Sequence, residues 1–177
     1  MPIPDYQIIM LPILKLISDR QEYSNKELVK KVAAHFSMTD KEQSEMLPSQ
    51  RQSVLSNRVA WAIAYLKKAG LITSPRRGIQ TLTLRGKQAL AQRPETINNS
   101  FLMQYPEFCD FVGKEKSSDS VLINGIIRPI EVRTPQEIMA ESYREINSAL
   151  ASELIEQILH LPPGFFERLV LGLLLAM

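Results

Sequence analysis

Eight side chains between positions 51 and 77 have types and spacings that could do chemistry together: Arg51, Gln52, Ser53, Ser56 and Asn57, then Lys68, Arg76 and Arg77. The first five are the types that read base edges. Arginine pairs bidentately with guanine, glutamine or asparagine with adenine, and serine adapts to either. The last three are cations suited to phosphate oxygens, which set affinity and salt sensitivity while base contacts set preference. For Arg76-Arg77 the competing reading is a solubilising turn.

Positioning these groups requires a helix and a hairpin. Leu55, Val59, Ala62, Ile63 and Leu66 recur at 3.6-residue spacing, which predicts a helix from about Gln50 to Ala69. Gly70 falls at its left-handed C′ position, and Lys67 and Lys68 suit the negative end of its dipole. The opposite face is read as Ser53, Asn57, Ala60, Ala64 and Lys68, short and uncharged in the middle, with Trp61 on its shoulder. Trp61 could stack on a base, although packing beneath a hairpin suits it better. Residues 71–74 and 79–84 read as strands around the turn Pro75-Arg76-Arg77-Gly78, and 83–90 as a short closing helix.

Upstream, Tyr6, Ile9, Met10, Ile13, Leu14 and Ile17 mark one buried helix face between Asp5 and Asp19. Pro12 either kinks this helix or stands in the first turn of one that starts near Leu11. Ser24 with Glu27 and Thr39 with Glu42 are capping boxes. The first opens a helix carrying Leu28, Val32 and Phe36, the second a short acidic helix ending near Leu47-Pro48. Helix, helix, inserted short helix, long helix, hairpin, helix is the order of a winged helix-turn-helix domain.

Charge follows the same division. Residues 1–92 hold fourteen of the 21 Lys and Arg and seven of the 19 Asp and Glu, a basic surplus of seven; the remainder has an acidic surplus of five. From Met46 to Pro94 there is no Asp or Glu at all, against nine basic residues. Such a span attracts polyanions, although a merely solvated basic face is the ordinary alternative.

Beyond Arg93, the aromatic segment of Phe101, Tyr105 and Phe108 should pack back on the domain. Gly113 to Asp119 reads as a polar mobile loop, and Val121 to Val132 as a short strand or extended linker. Thr134-Pro135-Gln136-Glu137 opens a long helix to about Leu161 with the seam Met139, Tyr143, Ile146, Leu150, Leu154, Ile158 and Leu161. That seam suits either packing within the domain or a helix pair between subunits. Phe165 to Met177 is helical, almost wholly apolar and too short for a bilayer, and reads as the first helix of a domain continuing past Met177.

With 177 residues, 45% of them hydrophobic and 23% charged, the chain reads as an ordinary globular one. A single cysteine, two histidines and no close cluster of them argue against a disulfide scaffold and most zinc sites. The absence of a leader or an apolar run of about 18 residues makes cytoplasmic the expected location. His35 and His160 read as helix-end residues, and Cys109, between Phe108 and Phe111, as a small buried residue.

The run from Leu47 to Ile72, with Leu47-Pro48-Ser49-Gln50-Arg51-Gln52-Ser53-Val54, Asn57-Arg58-Val59-Ala60-Trp61-Ala62 and Tyr65 to Ile72, resembles the N-terminal domain of Mrr-type restriction proteins. So do Pro75-Arg76-Arg77-Gly78 and Leu84-Arg85-Gly86, while Phe165 to Val170 and Leu173 to Met177 resemble the opening of that family's nuclease domain. The resemblance implies a methylation-dependent (type IV) restriction endonuclease with an N-terminal domain that binds double-stranded DNA. It implies a nuclease core, holding a divalent metal such as magnesium, beginning after Met177. No catalytic residue carries over: Glu115-Lys116 lacks a partner aspartate on an evident strand.

The expected architecture is therefore mainly α with a small β-hairpin: a winged-helix domain over 1–95, an aromatic segment and linker over 96–134, and a helical connector with the first helix of a truncated nuclease domain over 135–177. The function expected is binding of duplex DNA, methylated in some form, with no cofactor in this chain, no membrane, and self-association through the C-terminal helices in reach. The competing functions are a winged-helix transcriptional regulator with C-terminal dimerisation helices, and an adaptor that binds protein.

Overall fold

The computed structural model describes residues 3–19, 22–118, 133–160 and 162–176. The chain divides into two compact units, Met1–Pro135 and Gln136–Met177.

In the first unit, α1 (Tyr6–Ser18) is capped by Asp5, whose carboxylate accepts from the amides of Gln7 and Ile8. The helix runs across Pro12 from Tyr6, so a start near Leu11 is excluded. Seven buried side chains on α1 outweigh the one bond Pro12 cannot donate to Ile8, which faces solvent. β1 (Tyr23–Ser24) leads into α2 (Asn25–His35), and α3 (Asp40–Gln43) follows; the capping boxes Ser24/Glu27 and Thr39/Glu42 are both formed. The short acidic helix stops at Gln43 rather than near Leu47-Pro48.

The long helix α4 (Val54–Lys68) begins four residues later than Gln50, with Ser53 as its N-cap. Residues 46–53 instead close a loop. Met46 pairs with Ser53 in an antiparallel bridge, the amide of Leu47 donates to the carbonyl of Gln52 at 2.9 Å, and that of Val54 to Glu45 at 2.8 Å. Gly70, with φ +70, follows the cap residue Ala69 as expected.

β2 (Ile72–Thr73) and β3 (Ile79–Leu82) form the expected hairpin, and β1 adds on the other side, giving the antiparallel order β1-β3-β2. α5 (Leu84–Ala91) is capped by Thr83, whose hydroxyl also donates to the carbonyls of Gly70 and Leu71. Hairpin root and helix end are thereby tied together.

Helices α1, α2 and α4 build a core from Ile9, Met10, Ile13, Leu14, Ile17, Leu28, Val32, Leu55, Val59, Ala62 and Leu66. α6 (Asn99–Leu102) and α7 (Pro106–Ser118) complete it: Ile97, Leu102 and Phe108 are fully buried, and Phe101 and Tyr105 pack against them. Gly113 to Ser118, expected as a loop, are the last turns of α7. Asp119 and the segment from Val121 to Val132 lie outside the described residues.

The second unit holds α8 (Pro135–Leu159) and α9 (Pro163–Ala176). Within it Met139, Tyr143, Ile146, Leu150 and Leu154 are all exposed, as are Phe165, Phe166 and Leu171. No helix among the described residues is long and apolar enough to cross a membrane.

Candidate nucleic-acid interface

The helix α4 and the hairpin bring the predicted groups onto three short stretches. At the N-terminal end of α4, the Ser53 hydroxyl accepts from the Ser56 amide at 3.3 Å and donates to the Ser56 hydroxyl at 2.8 Å. Both serines therefore serve the helix start. Arg51 and Gln52 are not helical: they belong to the bridged loop, with Arg51 exposed and Gln52 half-buried.

Asn57 departs most from expectation. Only 2% exposed, it is not on the outer face; its Oδ1 accepts from the Thr134 hydroxyl at 2.7 Å. The outer stripe is Ser56, Ala60, Ala64 and Lys67, with Ala60 and Lys67 exposed. The flank that carries Asn57, Trp61, Tyr65 and Lys68 is instead covered by later parts of the first unit. Tyr65 meets Phe108 and Phe111 edge-on, Trp61 packs against Tyr65, and the Lys68 ammonium sits 4.8 Å over the Phe111 ring. Lys68 is still exposed.

At the hairpin tip both arginines are exposed, but Arg76 pairs with Glu22 at 2.8 Å. The tip is braced beneath by a polar relay: Ser74 donates to Gln80, which is 4% exposed, and Gln80 donates to Asn25. Asn25 also donates its amide to the carbonyl of Gly78, locking the turn to the start of α2.

Two of the nine basic residues in the acid-free span hold the fold together. Arg58 donates to the carbonyls of Ile3 and Pro4. Arg85 forks onto both oxygens of Glu107, at 2.9 and 3.0 Å, and reaches the Ala69 carbonyl at the end of α4. The hydrogen bond from Arg85 holds the Glu107 carboxyl below the usual carboxylate range, and burial raises the neighbouring Tyr105 phenol. Arg51, Lys67, Lys68, Arg77, Lys87 and Arg93 remain as exposed cations.

Cys109 is exposed rather than buried, its thiol 2.9 Å from the Met103 carbonyl. His35 closes α2 and His160 follows α8, both at helix ends. Among the described residues no group of three or more His, Cys, Asp or Glu could hold a metal ion.

Residues 6–92 match the model of the Mrr N-terminal domain family. A "Type IV methyl-directed restriction enzyme EcoKMrr" from Escherichia coli (strain K12) is 27% identical over 186 residues, an alignment covering 98% of this chain. The chain spans 59% of that relative's length. No solved structure matches.

Proposed function

Because residues 6–92 belong to the Mrr N-terminal domain family, we propose that this chain is the duplex-DNA-binding part of a type IV restriction endonuclease, built as a winged helix. The order α1, β1, α2, α4, β2, β3 is that of a winged helix-turn-helix, with α3 inserted and the β2–β3 hairpin as wing. The observation that carries the reading is the acid-free span itself. Met46 to Pro94 covers α4 and the wing together, and its exposed cations include Arg51 ahead of the helix and Arg77 at the wing tip. On a duplex, α4 enters the major groove by its N-terminal end while Arg77 meets the phosphate backbone.

Cutting is assigned to residues beyond the 177, with magnesium as its metal, and no hydrolytic step is derived for this chain. The likeness to a methyl-directed restriction enzyme of Escherichia coli favours a methylated duplex as ligand and a restriction role over transcriptional regulation. The exposed seam of α8 is compatible with self-association, and a cytoplasmic location accords with a DNA ligand.

The test is binding to matched methylated and unmethylated duplexes across a salt series. The expected result is an affinity that falls linearly on a double-logarithmic plot against salt, because bound cations release counterions. Loss of any salt-dependent duplex binding would overturn the reading in favour of a protein adaptor. Magnesium-dependent cutting is expected only from a chain extended past Met177.

A further inference from the structure

We propose that the bridged loop ahead of α4, and not α4 itself, carries the base-reading side chains, with Gln50 and Arg51 as specificity-determining residues and Ser49 beside them. This inference rests on the DNA-binding reading above. It starts from elimination within the helix. Ser53 and Ser56 hydrogen-bond each other across the helix start, and Asn57 is buried under Thr134. Asn57 is out of a base's reach, Ser53 is engaged as both donor and acceptor in the cap, and half-buried Ser56 keeps only one short hydroxyl, so none of the three can make a bidentate contact to a base edge.

The loop can. Its base is closed by the Met46–Ser53 bridge and by the bond from the Leu47 amide to Gln52, and the Leu47 side chain is buried, only 5% exposed. Above that base the Gln50 amide donates to the Leu47 carbonyl at 2.8 Å, so the tip is a defined turn. Pro48, Ser49, Gln50 and Arg51 are all exposed on it. Gln50 has φ +52, a conformation glycine adopts far more readily. The turn thus holds a long amide side chain where the backbone alone would favour none.

A neighbouring amide and guanidinium supply both bidentate chemistries of the major groove, for adenine and for guanine. Because the loop runs straight into the N-terminus of α4, it occupies the end of the helix that approaches base edges in this architecture.

The experiment selects the best-bound duplex from a randomised pool, in methylated and unmethylated forms, with the whole 177-residue chain. It then compares its affinity with that of the unselected pool. Gln50→Gly removes the side chain while suiting the turn, so its thermal midpoint should be unchanged or raised. The expected result is that Gln50→Gly and Arg51→Ala each shrink the ratio of selected to pool affinity by about ten-fold. Gln50→Gly should leave pool affinity within about two-fold, and Arg51→Ala should also lower the salt slope by about one. Ratios unchanged in both variants, or no preference in the parent chain, would overturn the proposal while leaving DNA binding intact. Absence of duplex binding by the parent chain would overturn both readings together.

Discussion

The hydroxyl of Thr134, immediately before α8, donates to Oδ1 of Asn57 on α4 at 2.7 Å, across 77 positions of sequence, and both residues are buried. A buried amide of this kind stabilises a fold by its hydrogen bonds and contributes little to a ligand it cannot reach. Asn57→Ala should therefore lower stability by about 1–3 kcal/mol, the range for disrupting a buried polar pair. It should leave duplex preference unchanged. Urea unfolding beside a binding ratio measures both, and loss of preference with full stability would show that Asn57 reaches DNA after all.

How far the chain's organisation can be read without coordinates depends on the range of the interaction. Ser24/Glu27 and Thr39/Glu42 are local, three residues apart, and the apolar period of α1 and α4 is local too. All of these are legible. β1 is two residues long and has no period to detect, and its pairings with β3, Tyr23 with Gln80 and Ser24 with Ile79, span 57 and 55 positions. The buried flank of α4 had one usable signal: Asn57, Trp61 and Tyr65 stand at successive steps of four, and aromatic residues on such a stripe are usually covered. What covers them, Phe108, Phe111 and Thr134, comes from beyond the acid-free span of Met46 to Pro94. The Arg85–Glu107 pair, 22 positions apart, is non-local as well, and it makes one cation of the acid-free span a structural clamp.

At the wing tip the two arginines are not equivalent. Arg76 is held by Glu22, while Arg77 is exposed beside it. Arg77→Ala should weaken binding to all duplexes alike and lower the salt slope by about one. Arg76→Ala should do less, and Glu22→Gln should strengthen binding by releasing Arg76 and removing a negative charge from the tip. Equal effects of the two arginine variants would show that the Glu22 pair dissolves on binding.

The clamp between Arg85 and Glu107 predicts an acid-side effect. Glu107 has its carboxyl pKa lowered in the folded chain by the hydrogen bond from Arg85. Its contribution to stability is therefore present above the ordinary carboxylate pKa and is lost as pH falls through the lower folded value. Glu107→Gln should reduce the thermal midpoint at neutral pH, and the gap to the parent chain should close below about pH 4. The pair is largely exposed, so added salt should narrow the gap as well.

Two glycines in and after the wing should respond to alanine for different reasons. Gly78 has φ +78 with open space around the missing side chain, so Gly78→Ala costs only the left-handed backbone penalty, about 1 kcal/mol. Gly86, in the first turn of α5, lies against the Leu71 carbonyl, which a methyl group there would overlap, with Leu82 also close. Backbone cannot give way as a side chain can, and the Thr83 hydroxyl ties this same carbonyl to the start of α5. Gly86→Ala must separate the hairpin root from the helix that closes it, and should cost about 3 kcal/mol, the upper end of the usual range for overpacking. Thermal unfolding of the two variants side by side provides the comparison. A larger loss for Gly78→Ala would mean that the turn at the wing tip, and not its root, limits the stability of the hairpin.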